Sequence, residues 1–319
     1  MTESHPFRFG VIGENAHTAE MLVQTARAAE HLGYSTFLLR DHFVREPFGD
    51  QLAPLMALTA VASATQTLRL GTLVLANDYR HPVMLAKEAA TLDHLSGGRL
   101  ELGLGAGWLR DEYERAGMPF DAPGTRVGRL EEAVMIVKSL LSGRPTTFAG
   151  GHYCVSSLST YPAAHQRPHP PLLIGAGSER MLRLAGREAD IVGILPKAVP
   201  DGTISGEYAE RTAETTKQKV GWIRDGAGSR FDQIVLSMLV SPRVTDDVPG
   251  IAAEFAARRG WGRLDARTVL TMPSVFIGSV GHIADTMRAR REEYGFSYYV
   301  ISDSIMESFA PVVEELTGS

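Results

Sequence analysis

Short apolar runs alternate with longer amphipathic ones almost from the first residue, and this alternation narrows the folds open to the chain more than any other feature. The first run, Phe7 to Gly13, is rich in β-forming residues and ends in glycine. Thr18 to Leu32 follows, with Leu22, Ala26, Ala29 and Leu32 recurring at helical spacing. Tyr34 to Arg40 predicts a second strand and Leu52 to Thr65 a second helix. Leu68 to Leu75 predicts a third strand; the helix after it opens on Pro82 and carries Leu85, Ala89, Leu92 and Leu95 on one face. Arg99 to Gly105 and Thr125 to Leu141 supply a fourth pair. The second half keeps the rhythm more loosely. Strands are predicted at Leu172 to Gly175, Asp190 to Leu195, Ile234 to Val240 and Ser297 to Ser302. Helices are predicted at Ser178 to Gly186 and at the C-terminus, where Met306, Phe309, Val313 and Leu316 share a side.

Eight strand-then-helix units are the number a closed (β/α)8 TIM barrel needs, and strands buried on both faces read as nearly continuous apolar runs. A doubly wound open sheet is the competing architecture, since alternation alone does not separate the two. Residues 1–319 are read as one α/β barrel domain with loop insertions. Residues 143–171 carry Arg144-Pro145, Gly150-Gly151, Tyr161-Pro162 and Arg167-Pro-His-Pro-Pro171, too many breakers for a strand or helix interior, and are expected as a surface insertion. Residues 200–225 predict a loop leading into a helix, and residues 245–274 an additional helical segment. Long loops in a compact barrel shape the mouth of the active site.

A net charge of −5 with no long basic run argues against nucleic acid or an anionic membrane surface as partner. No stretch of about 18 apolar residues is available to span a bilayer, and the first residues lack the basic and apolar regions of a signal peptide. The single cysteine, Cys154, rules out an intrachain disulfide and fits a reducing compartment. The expectation is a cytoplasmic protein acting on a small molecule.

In a barrel of this kind the working residues lie at the carboxyl ends of the strands. After the fifth strand, Gly175-Ala176-Gly177-Ser178 runs directly into a helix. Glycines allow a tight turn and close approach, Ser178 can cap the helix, and the helix dipole favours an anion such as phosphate. An ordinary tight turn with a serine cap explains the same residues. Gly105-Ala106-Gly107 adds a second bare surface after strand four, without the spacing of a dinucleotide fingerprint or the lysine of a P-loop. Asp41-His42 ends strand two: histidine suits proton transfer near neutral pH, and aspartate can orient a partner. Equally, Asp41 can cap the following loop while His42 packs. Asn77, Asp78, Tyr79 and His81 form a further polar cluster, in part serving the turn into Pro82. His165 and His169 are four apart, but prolines intervene and no third ligand presents itself, so no metal is assigned. No Gly-x-Ser-x-Gly elbow supports a covalent hydrolase.

Several stretches together resemble the luciferase-like monooxygenase superfamily. They are Phe9-Gly-Val11, Ala28-Ala-Glu30-His-Leu-Gly-Tyr34, Asp41-His42-Phe43, Leu70-Gly-Thr-Leu-Val-Leu75 and His81-Pro82. Leu92-Asp-His-Leu-Ser-Gly-Gly-Arg99 through Trp108, the most specific block, and Leu173-Ile-Gly-Ala-Gly177 complete the likeness, which extends over nearly the whole chain. Gly107-Trp108 with Asp111-Glu112-Tyr113 looks most like the branch that depends on coenzyme F420, a deazaflavin. The resemblance implies a TIM barrel in which the cofactor phosphate lies against Gly175, Ala176, Gly177 and Ser178. It implies a bulge on strand three with a non-prolyl cis peptide at Leu73–Val74 beneath the ring. By the same likeness, Gly105, Ala106 and Gly107 approach ring or phosphate, Asp41 lies near the ring edge, and His42 supplies or removes a proton. The implied function is an oxidoreductase transferring a hydride between F420 and a small organic substrate. The alternatives are an FMN-dependent two-component monooxygenase and, more distantly, a non-enzymatic flavin-binding protein. A homodimer is the assembly such families commonly form. Trp108 stands where sugar-phosphate-oxidising relatives place an acidic proton donor; an indole cannot transfer that proton, and an apolar pocket wall is expected there instead.

Overall fold

In the computed structural model, which describes residues 5–15, 17–199, 201–262 and 264–317, eight parallel strands close on themselves. They are β1 (Arg8–Ile12), β2 (Thr36–Leu39), β3 (Arg69–Thr72, resuming as Leu75–Ala76), β4 (Leu100–Gly105), β5 (Leu172–Ala176), β6 (Ile191–Ile194), β7 (Val235–Leu239) and β8 (Phe296–Ser302). β1 pairs with β2 and with β8, and β3 pairs with β4, so the ring has no open edge. This is the (β/α)8 barrel the alternation predicts, and the rival open sheet is excluded.

The helices that follow the strands are α1 (Ala19–His31), α2 (Pro54–Ala64), α3 (Pro82–Leu95), α4 (Pro123–Leu141), α5 (Glu179–Glu188), α6 (Ala213–Ala227), α7 (Val280–Tyr294) and α8 (Met306–Leu316). Their apolar faces and the outward strand residues form the main core. Inside the barrel, Ile12, Leu38, Leu173, Ile191, Tyr298 and Val300 make a smaller cluster, and Leu73 and Val74 cover it toward the carboxyl ends. At the opposite end of the barrel the buried Glu101 carboxylate accepts from Arg8, from Arg69 Nε at 2.6 Å and from the Tyr298 hydroxyl at 3.3 Å. A charge so placed is tolerated because it is paired.

Outside the simple repeat, a hairpin and one further helix differ from expectation. Within residues 143–171 lies an antiparallel hairpin, Thr146–Ala149 with Cys154–Leu158. The glycines and prolines there mark the ends of short strands instead of an irregular run. The apolar spacing does not mark helix α7, whose sequence is arginine-rich and of which only Ile283, Ala284, Met287 and Tyr294 are buried. Residues 245–274 hold two helices, Val248–Arg258 and Ala266–Leu270, around a separate core of Ala252, Ala256, Trp261, Val269, Met272, Val275 and Ile277. Among the described residues no helix is long and apolar enough to cross a membrane.

One carboxylate ties α1 to the start of β3. Glu30 Oε1 accepts from the backbone N–H groups of Gln66, Thr67 and Leu68 at 2.8, 2.6 and 2.9 Å. Burial opposes its charge, but these bonds prevail and hold the carboxyl at about 2. A depressed carboxylate stabilises the fold above its ordinary pKa and loses that contribution as pH falls toward the folded value. Glu30→Gln is expected to lower stability at pH 7 by about 1–2 kcal/mol, with the gap from the parent closing below about pH 4. Urea denaturation at pH 7 and pH 3 checks this; an equal gap at both would contradict it.

Candidate active site

The carboxyl ends of the strands open into a cavity of about 760 Å³, within the range that holds a cofactor and a small substrate. The residues expected at the cofactor and the proton-transfer position line it: Asp41 and His42 after β2, Leu73 and Val74 in the break of β3, Gly105, Ala106 and Gly107 after β4, and Gly175, Ala176, Gly177 and Ser178 after β5. The fold therefore brings together four stretches that are far apart in sequence.

The break in β3 forms the floor. The Leu73–Val74 peptide bond is cis, as the resemblance implies. On one side of the break Thr72 Oγ1 donates to the Gly103 carbonyl and accepts from the Gly103 N–H, both at 2.9 Å. On the other, Asp41 Oδ2 accepts from the Ala76 N–H at 3.1 Å, and the Asp41 carboxylate takes both terminal nitrogens of Arg80, at 2.6 and 3.0 Å. Asp41 is buried and fully engaged. It borders the cavity, but its contacts are those of a group that pins the resumed strand to β2.

His42 has a different setting. Its Nδ1 lies 3.0 Å from Glu112 Oε2, leaving Nε2 as the ring nitrogen without a partner among the described residues. The ring sits against Phe48, at 4.9 Å between centroids, and edge-on to Trp108 at 5.9 Å. Trp108 is thus an apolar wall beside the imidazole. Glu112, almost wholly buried, also accepts from the Phe43 N–H and from the Tyr79 hydroxyl at 2.8 Å. Burial works against its charge; the bonds from His42, Phe43 and Tyr79 outweigh it and keep the carboxyl below its ordinary value. Burial, reinforced by Glu112, pushes the Tyr79 hydroxyl far up, so it stays a proton-bearing donor.

At the fifth strand the glycine turn runs into α5 with Ser178 in the N-cap position. The expected cap is not made: the Ser178 hydroxyl accepts no bond from the helix. It lines the cavity with the helix's positive end behind it. Gly177 owes its bareness to the protein as well, since a Cβ there would lie 2.5 Å from the Pro196 carbonyl oxygen. Gly107 has φ +74°, and a Cβ would fall 1.9 Å from the Tyr113 hydroxyl. Both positions require glycine for reasons internal to the fold.

Of the second polar cluster, Asn77–Tyr79 forms a 3-10 turn, Asp78 pairs with Arg129 at 2.9 Å, and His81 Nδ1 accepts from the Val83 N–H to start α3. Only Tyr79 faces the cavity. Glu112, Phe48 and Arg126 also line it, and no pattern in the sequence gives any of them a role. Glu112 follows His42 by 70 residues in the chain, and only the closed ring brings them together. Among the described residues no group of three or more His, Cys, Asp or Glu could hold a metal ion.

Comparison with known proteins places the chain in a family. Residues 4–219 match the model of the luciferase-like monooxygenase family, and the chain belongs to that family. The match is shorter than the nearly whole-chain likeness expected from the motifs. An uncharacterized protein y4wF of Sinorhizobium fredii is 33% identical over 204 residues, 62% of this chain and 58% of its own length. A protein of Nakamurella multipartita named F420-dependent glucose-6-phosphate dehydrogenase is 34% identical over 248 residues, 74% of this chain and 68% of its own length. The alignment with y4wF thus reaches less than two thirds of that relative. In three dimensions, coenzyme F420-dependent tetrahydromethanopterin reductase from Methanopyrus kandleri superposes with a TM-score of 0.75 at 18% identity, over 98% of this chain and 99% of that one. The fold is shared across that distance.

Glu112→Ala would leave the Phe43 N–H and Tyr79 hydroxyl without their acceptor in a buried site, and is expected to lower stability by about 3 kcal/mol. Asp111→Ala, whose side chain is 64% exposed, should change it by less than about 1 kcal/mol. Thermal and urea unfolding of the two variants give the comparison; similar losses would contradict the role of Glu112.

Proposed function

We propose that this protein is an F420-dependent oxidoreductase that passes a hydride between the deazaflavin and a small organic substrate. The carrying observation is convergence: an apolar bulge, a glycine turn with an uncapped serine, and an imidazole backed by a buried carboxylate all face one cavity of about 760 Å³. The names of the Nakamurella and Methanopyrus proteins support F420 as the cofactor.

The residues fit such a group. Gly175, Ala176, Gly177 and Ser178 would hold its phosphate by backbone N–H groups, the Ser178 hydroxyl and the α5 dipole. Leu73 and Val74 would form the surface beneath the ring, with Gly105, Ala106 and Gly107 beside it. A bound deazaflavin supplies the carbon centre that gives or takes a hydride; the protein supplies position and electrostatics. Asp41 acts through the strand it pins and is a positioning residue in this reading. His42 is the proton-handling group at Nε2. Glu112 fixes the tautomer by accepting from Nδ1 and stabilises the imidazolium that forms on proton uptake. Phe48 and Trp108 pack against the imidazole on two sides. The glucose-6-phosphate named for the Nakamurella protein is not carried over, since Trp108 occupies the position where an acid is expected in sugar-phosphate oxidation.

The second reading, a two-component oxygenase using FMN, draws on the family's description as monooxygenases. A side-by-side calorimetric titration separates the two: micromolar or tighter binding of F420 with none of FMN is expected, and the reverse would overturn the proposal. His42→Ala is expected to reduce turnover at least about 100-fold while F420 affinity stays within about threefold of the parent. Unchanged turnover would remove His42 from the mechanism.

A further inference from the structure

The cavity extends beyond the glycine turn to the ends of β6 and β7, and its electrostatics change there. Arg211, in the 3-10 turn Tyr208–Arg211 before α6, and Arg259, at the end of the helix Val248–Arg258, both line it, with the hydroxyl-bearing Ser241, Ser274 and Thr203 nearby. Neither guanidinium forms an ion pair with a carboxylate among the described residues, and the Arg211 Nε is buried without a hydrogen-bond partner. Three carboxylates line the cavity, and each is committed elsewhere. Asp41 pairs with Arg80 and Glu112 serves His42 and Tyr79. Glu210 is divided between Lys219 Nζ at 2.8 Å, Lys197 Nζ at 3.3 Å and the Lys197 N–H at 3.2 Å.

The two arginines are also held in place. Trp261, buried and fixed by its Nε1–H bond to the Gly206 carbonyl at 2.9 Å, has Arg211 Cζ 5.7 Å and Arg259 Cζ 5.6 Å from its ring centroid. Arg259 additionally lies 3.8 Å over Phe255. Burial, together with the charges of Arg211 and Arg243, pushes Arg259 down to about 10. Like charges brought to one wall of a cavity and stacked on a shared aromatic form a cluster that an anion would stabilise. A planar guanidinium with unused N–H donors matches the fork of a carboxylate or a phosphate.

We propose that Arg211 and Arg259, mounted on Trp261, form an anion-binding subsite for the substrate, which is therefore a small molecule carrying a carboxylate or a phosphate. This deepens the function proposed above and rests on it for the word substrate; the subsite itself stands on geometry alone. Trp108 bears on proton donation at the other end of the cavity and does not conflict with it.

The test is calorimetric titration of the intact protein with inorganic phosphate and with acetate, in the absence of cofactor and again after saturation with F420, which fills the glycine turn. The parent is compared with Arg211→Gln/Arg259→Gln. Either anion binding to the F420-saturated parent and weakening at least tenfold in the double variant is the expected result. Equal binding by both proteins, or none by the parent, overturns the subsite. If F420 affinity falls tenfold in the variant as well, the arginines serve the cofactor and the substrate assignment is wrong. If F420 binds neither protein while anion binding to the free parent is lost in the variant, the subsite stands and the cofactor reading fails. Arg259→Gln alone, at the end of its helix, gives the same comparison should the double variant not fold, and Arg→Lys at both positions should restore part of the binding.

Discussion

The site depends on how the interrupted third strand is held. A sheet closed into a ring satisfies its backbone groups between neighbours, so a break in one strand must find substitutes or leave buried polar groups unpaired. Here the Thr72 side chain bonds both backbone groups of Gly103 on one side of the break, and the Asp41 carboxylate takes the Ala76 N–H on the other. Arg80 closes the arrangement by neutralising Asp41. Leu73 and Val74 are thereby presented as a fixed apolar floor over the inner cluster, at the level where the other strands end.

From that floor the division of labour among charges follows. Asp41 and His42 are neighbours in sequence and border the same cavity, but their hydrogen-bond partners give them different tasks. Asp41 is consumed by structure. His42 is backed by Glu112, whose other acceptor capacity is filled by the Phe43 N–H and Tyr79. The imidazole is therefore oriented by a group that is itself immobilised, which fixes its geometry without any tie to a ligand. At the far end of the cavity the balance reverses, and cations outnumber their partners.

The eight-fold alternation was legible because buried parallel strands leave continuous apolar runs, and all eight strands fall where those runs lie. Helix α7 was not, since its buried face is narrow and its surface dense with charge. The hairpin within residues 143–171 was hidden because strands of four or five residues between breakers carry too little period. The cavity-facing residues at strand ends could be named from position and chemistry. The residues that give them their roles could not: Glu112 reaches His42, and Trp261 carries Arg211, only through tertiary contacts with no signature in local spacing. Ser178 shows the opposite error, where a residue type that ordinarily caps a helix is in the capping position and leaves the bond unmade.

The central claim is that one cofactor is gripped at its phosphate by the turn opening α5 while its ring rests on Leu73–Val74, within reach of His42. A crystal structure of the protein grown with F420 tests it most directly. The account predicts phosphate density within hydrogen-bonding distance of the Gly177 and Ser178 backbone and the ring stacked on the Val74 side of the break. Density for the ring at any other strand end, or a phosphate held away from the glycine turn, would contradict it.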